Sequence, residues 1–175
     1  MERIPKVNRM ISDIPMVRKA QPSGKRTLRV RFAGDRREYA VDLTGLIARS
    51  RHFTPLMEDA DTFAKINIID DGLGVAWPVE TKWGHLDLSG STLRRLAEEQ
   101  LPMSGADFAK WRKSLGLSLT EAAKLLGVSR RTVMGYLKKD ELPAVVAIAC
   151  RALVRDKHVF AAHYVPARKM ASHVG

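Results

Sequence analysis

The chain has 175 residues, 45% of them hydrophobic, enough for one large or two small packed domains and too apolar for wholesale disorder. No run approaches about eighteen apolar residues, and MERIPKVNRMISD at the N-terminus lacks a continuous apolar stretch, so neither a membrane span nor a signal peptide is expected. The net charge of +11 is unevenly placed: residues 1–102 hold 17 Lys/Arg against 14 Asp/Glu, and residues 103–175 hold 13 against 5. A local excess of cations of this kind is the electrostatic footprint expected for a polyanion, because Lys and Arg displace condensed counterions from phosphates. The single cysteine, Cys150, cannot form an internal disulfide and lies in AVVAIACRAL, where a buried apolar role is expected. A cytoplasmic location follows as the expectation.

In chain order, the first twenty residues are ambiguous between one and two edge strands, with QPSGK as a loop. Residues 27–41, TLRVRFAGDRREYAV, alternate: Leu28, Val30 and Phe32 share one face, Arg29 and Arg31 the other. With a turn at Gly34-Asp35 and apolar Tyr39 and Val41 beyond it, this predicts a β-hairpin with one buried face. DLTGLIARS reads as a short helix or turn, and KINIIDDGLGVAWP as a second hairpin around Asp70-Asp71-Gly72. SGSTLRRLAEEQ, residues 89–100, has helical spacing at Leu93 and Leu96. Residues 1–100 are therefore expected to form a small α+β domain of hairpins with short helices.

VDLTGLI, FAKINI and GLGVAWP stand in the order and spacing of DUF2442, a family of small bacterial domains without a settled activity, and residues 1–95 resemble that family. The sequence departs from it after Pro78, where VETKWGHLDL replaces the family's Asn-Gly-x-Asp-Leu.

LPMSG, residues 101–105, reads as a linker punctuated by Pro102 and Gly105. The period is then helical through ALVRDK. Ser104 begins a first helix that Gly116 ends. Ser118 begins a second, with Glu121 three residues on as a capping box. Ser129 caps a third helix read over 129–139, and Pro143 falls in the first turn of a fourth, where its missing N–H costs nothing. An all-α domain over 103–157 and a basic tail over 158–175, packed as an extra helix or frayed, complete the expected organisation.

Within LTEAAKLLGVSRRTVMGYLKK, two short helices meet across a tight turn and must cross steeply. Ala123 is small enough for the contact, Gly127 leaves the helix through a left-handed conformation, and Val128 plugs the corner. Val133, with Tyr136 or Leu137, holds the second helix on the core. These offsets are those of a helix-turn-helix. Residues 103–155 as a whole resemble the five-helix domains of the lambda-repressor and Cro (XRE-type) family, which implies DNA binding. That family commonly has Gln at the first position of its second helix, bracing a phosphate; here Leu119 stands there, and Thr120 or Lys124 would take the contact.

At 100° per residue, Arg131, Gly135 and Lys138 point away from the core, flanked by Arg130, Thr132, Met134 and Lys139, with Ser129 at the cap. Arg131 suits a bidentate contact to guanine, and Lys138 and Lys139 suit phosphates. Exposed glycine in a helix costs about 1 kcal/mol relative to alanine. At Gly135 a close approach by DNA is one reason for it, and chance is the other.

Catalysis finds little support. His52, His85, His158, His163 and His173 show no metal-ligand spacing, and no phosphate loop, GxSxG or Cys-His pair stands out. Asp70 and Asp71 suit a turn for backbone reasons. No enzymatic activity and no cofactor or metal is expected. The reading is a sequence-specific DNA-binding regulator, a repressor or autoregulator, acting on double-stranded DNA as a homodimer. The alternative is an antitoxin-like protein that binds a toxin-like partner and its own promoter secondarily.

Overall fold

A computed structural model describes residues 14–167. They divide into two compact units, one ending at Gln100 and the other beginning at Leu101.

In the first unit the alternation of TLRVRF becomes strand β2 (Thr27–Phe32), with Leu28, Val30 and Phe32 buried and Arg29 and Arg31 exposed. It pairs antiparallel on one side with β1 (Val17–Pro22) and on the other with β3 (Tyr39–Asp42). β1 thus answers part of the N-terminal ambiguity and takes in Gln21 and Pro22 of the expected loop; the positions before Ile14 lie outside the described residues. DLTGLIARS forms α1 (Thr44–Arg49), followed by α2 (Thr54–Glu58) and α3 (Ala60–Ala64). The last two, which the periodicity does not announce, are single turns fixed by buried Leu56 and Phe63.

The second hairpin joins β4 (Asn67–Ile69) to β5 (Gly74–Thr81) across Asp70–Gly72, and β6 (Gly84–Ser89) extends the sheet. VETKWGHLDL therefore builds a hairpin of its own. The Trp77 indole N–H donates to the Phe63 carbonyl at 2.9 Å and ties α3 to β5. Helix α4 (Gly90–Glu99) is capped by Ser89 and buries Leu93 and Ala97, with Leu96 only half-buried. Its Arg94 spans the Phe32 and Tyr39 rings, each 5.1 Å from the guanidinium, and pairs with Asp35 and Glu98.

The second unit is helical: α5 (Gly105–Ser114), α6 (Leu119–Leu126), α7 (Arg130–Tyr136), α8 (Ala144–Arg155) and α9 (Lys157–His163). Both Ser104 and Ser118 form complete capping boxes, with Asp107 and Glu121 respectively. The fold is mixed α+β, with the sheets in the first unit and helices in the second.

Three boundaries differ from the sequence reading. The third helix, read over 129–139, ends at Tyr136, so Lys138 and Lys139 lie in the turn that follows. Pro143 is the N-cap residue of α8, one place before its first turn. The tail expected over 158–175 is helical as far as His163; positions after Ala167, with His173 among them, lie outside the described residues.

Candidate nucleic-acid interface

Everything that places α7 is local grammar locked by a small core. Helix α6 ends at Gly127, whose φ of 66° is left-handed, and the Val128 N–H turns back to the Ala123 carbonyl at 3.0 Å. Ser129 then accepts the Thr132 N–H at 3.0 Å and starts α7 in a new direction. Ala122 and Ala123 are buried at the crossing, so the two helix axes approach without a large side chain between them.

Val133 (fully buried) and Tyr136 form the inner face of α7. The Tyr136 ring meets Phe108 edge-on at 5.7 Å, and Phe108 stacks on Trp111 at 5.1 Å. The far end of α7 is clamped as well: the Gly105 N–H donates to the Lys139 carbonyl and the Leu142 N–H to the Met103 carbonyl, both at 2.8 Å. A Cβ on Gly105 would stand 2.6 Å from the Leu137 carbonyl oxygen, so only glycine lets α5 begin against this turn.

With its inner face and both ends held, α7 presents one outer face. Arg130, Arg131, Met134, Gly135 and Lys138 line an open concavity of about 570 Å³ there. Among the described residues, no ion pair engages Arg130, Arg131 or Lys138, and no carboxylate lines the concavity. Met134, one of the lining residues, is 44% exposed. Gly135 is unlike Gly105: a Cβ there would meet nothing within 4 Å, so nothing inside the protein requires glycine.

The other anticipated residues are placed as follows. Ser129 and Thr132 share a hydroxyl contact of 2.8 Å at the helix cap, and Thr132 is half-buried. Lys139 is exposed but outside the concavity. Thr120 and Lys124 are exposed on α6, whereas Leu119 packs against the core. Cys150 is buried, and desolvation pushes its thiol up to about 12, as an inert core residue requires.

Sequence spacing misses one feature at this site. The Glu121 carboxylate accepts the Ser118 N–H at 2.9 Å, the Tyr164 hydroxyl at 2.8 Å and the Ala167 N–H at 3.1 Å. These bonds, Ser118 foremost, hold the carboxyl down at about 2. With Phe160 and Tyr164 stacked at 5.1 Å and packed on the core, they fasten the segment after α9 to the start of α6. The partners are 43 and 46 positions apart, and nothing in the local pattern signals the pairing.

For the histidines, His52 shares a 2.9 Å contact with Thr81 Oγ1, and among the described residues no group of three or more His, Cys, Asp or Glu could hold a metal ion. No helix among the described residues is long and apolar enough to cross a membrane.

This arrangement of α6, turn and α7 is a helix-turn-helix. A family model described as a helix-turn-helix domain matches residues 117–160. A solved structure from Nitrosomonas europaea, of a protein described as a candidate for DNA binding, is similar at 23% identity. That match covers 89% of this chain and 94% of that one, with a TM-score of 0.41. A likeness of that size carries no argument about architecture or activity. No curated protein matches the chain.

Proposed function

We propose that the protein is a sequence-specific DNA-binding regulator of transcription, a repressor or autoregulator. In this reading α7 enters the major groove with Arg131 on a guanine edge, and Arg130, Lys138 and Lys139 meet phosphates. Thr120 and Lys124 of α6 meet the backbone that the first helix of such a motif crosses. The second unit is then an XRE-type domain and the first a DUF2442-like module serving as a dimerisation, sensor or partner-binding surface. The functional unit is a cytoplasmic homodimer on double-stranded DNA, because one such domain reads only a few base pairs.

The observation that carries this is the outer face of α7. It gathers unpaired cations around an exposed glycine, on a helix fixed from behind by Val133, Tyr136 and the Gly105 clamp. Selecting bound sites from random duplexes is the test. Recovery of a shared motif with two inverted half-sites, about 34 Å or a multiple of it apart, is the expected result. Recovery of unrelated sequences at uniform affinity would contradict it.

A further inference from the structure

Among the residues lining the concavity on α7, Met134 is apolar and the side chains beside it, Arg130, Arg131 and Lys138, are cations. The core takes Val133, Tyr136 and, just beyond the helix, Leu137, and leaves Met134 outside and exposed. At 100° per residue Met134 falls between the two arginines, about 40° from Arg130 and about 60° from Arg131. The next residue, Gly135, leaves open space at its side, since a Cβ there would meet nothing within 4 Å.

A single exposed methionine ordinarily needs no explanation. This one has cations without ion-pair partners on both sides, and a polyanion held by them lies over the thioether as well. The thioether has no donor and is only a weak acceptor, so it has little to offer a phosphate. What it gains under a ligand is the removal of apolar surface from water. In the major groove the base edges are donors and acceptors, except for the 5-methyl group of thymine.

Spacing indicates which base pair is met. Arg131 and Met134 are three residues apart, about 4.5 Å along the helix axis. Successive base pairs are about 3.4 Å apart, so the two side chains of a helix lying along the groove fall on neighbouring pairs. The unbranched, rotatable methionine side chain adapts to the remaining difference.

We propose that Met134 reads the 5-methyl group of a thymine one base pair from the guanine that Arg131 contacts. The proposal rests on the major-groove reading above and adds a second specificity-determining residue to it. The methyl contact is worth about fourfold in affinity, the effect of burying one methyl-sized group.

The experiment titrates the full chain onto the selected duplex and onto copies with uracil for each thymine in turn. Uracil lacks the methyl group and keeps every hydrogen-bonding group. One uracil, beside the pair at which Arg131→Ala relaxes preference, is expected to weaken wild type about fourfold. Met134→Ala is expected to lose about the same factor on the thymine duplex and to bind thymine and uracil copies alike. Met134→Leu, which keeps an apolar end, is expected to retain the preference for thymine. Where cytosine replaces that thymine, 5-methylation of the cytosine should strengthen binding by wild type and leave binding by Met134→Ala unchanged. Dichroism and melting of both variants should match wild type, since the side chain is exposed.

Equal binding of thymine and uracil copies by wild type overturns the inference. A base preference that still depends on Arg131 in that case leaves the major-groove reading standing. A methyl preference that Met134→Ala retains overturns the inference as well. A chain that selects no common sequence contradicts the major-groove reading itself, and this inference with it.

Discussion

Both units expose a row of cations, and the two rows differ in what surrounds them. On the first sheet Lys19 and Arg29 share Glu38, at 2.8 and 3.8 Å, and Arg37 lies over the Tyr39 ring at 4.8 Å. Arg94 is held by Asp35 and Glu98. These four charges have a carboxylate or ring partner within the fold, although exposed Arg18, Arg31 and Arg36 nearby are in no ion pair among the described residues. On α7 and the turn after it, Arg130, Arg131 and Lys138 have no carboxylate among them, and an exposed glycine, Gly135, lies beside them. A basic run alone says little about function. A run left unpaired, on a helix whose every other side is fixed, points outward to a ligand.

The contrast breaks most completely if the support behind α7 is removed. Phe108, fully buried between Trp111 and Tyr136, should cost about 3–5 kcal/mol when replaced by alanine. Helical dichroism should melt earlier and duplex binding should fall with it. Unchanged melting would mean that the aromatic stack does not hold α7.

Gly135→Ala sharpens the comparison, because stability and binding should move in opposite directions. The fold has room for the methyl group, so stability should rise by about 0.5–1 kcal/mol, seen as a higher melting temperature, while duplex affinity drops. Gains in both would show that the glycine makes no room for a ligand.

Salt dependence separates the two cation rows directly. Lys138→Ala should flatten the slope of log affinity against log salt by about 0.9, the value of one phosphate contact, for every sequence alike. Arg29→Ala on the first sheet should leave the slope in place. Equal effects would erase the distinction between paired and unpaired rows.

The smallest effect concerns Glu121. Its carboxyl sits at about 2 in the fold, below the ordinary value of about 4.3. A depressed folded value contributes stability above the ordinary one, and that contribution disappears as pH falls through the interval toward 2. Melting of wild type should therefore decline across that interval more than melting of Glu121→Gln. Parallel profiles would show that the links to Ser118, Tyr164 and Ala167 are not made in solution.

What could be read in the sequence was what depends on neighbours. The β2–β3 hairpin follows from alternation around Gly34-Asp35, and the α6–α7 turn from Ala123, Gly127, Val128 and Ser129 at fixed offsets. Contacts between distant positions were not legible. Leu137, Lys138 and Lys139 suit a helix, yet α7 stops at Tyr136 because Gly105 and Met103 engage the backbone beyond it. Tyr164 gives no local sign of reaching Glu121, and α2 and α3 are too short to show a period. At the candidate site the cations were legible and the missing counter-charges were not, since pairing is decided by the fold.

The central claim is that α7 reads base sequence, and Arg131 carries it. Wild type and Arg131→Ala should be titrated onto the selected duplex and onto copies with each base pair changed in turn. The account predicts a loss of about 1–3 kcal/mol on the selected site and a relaxed preference at one base pair, with dichroism and melting unchanged. An Arg131→Ala protein that keeps the full wild-type preference at every position would contradict it.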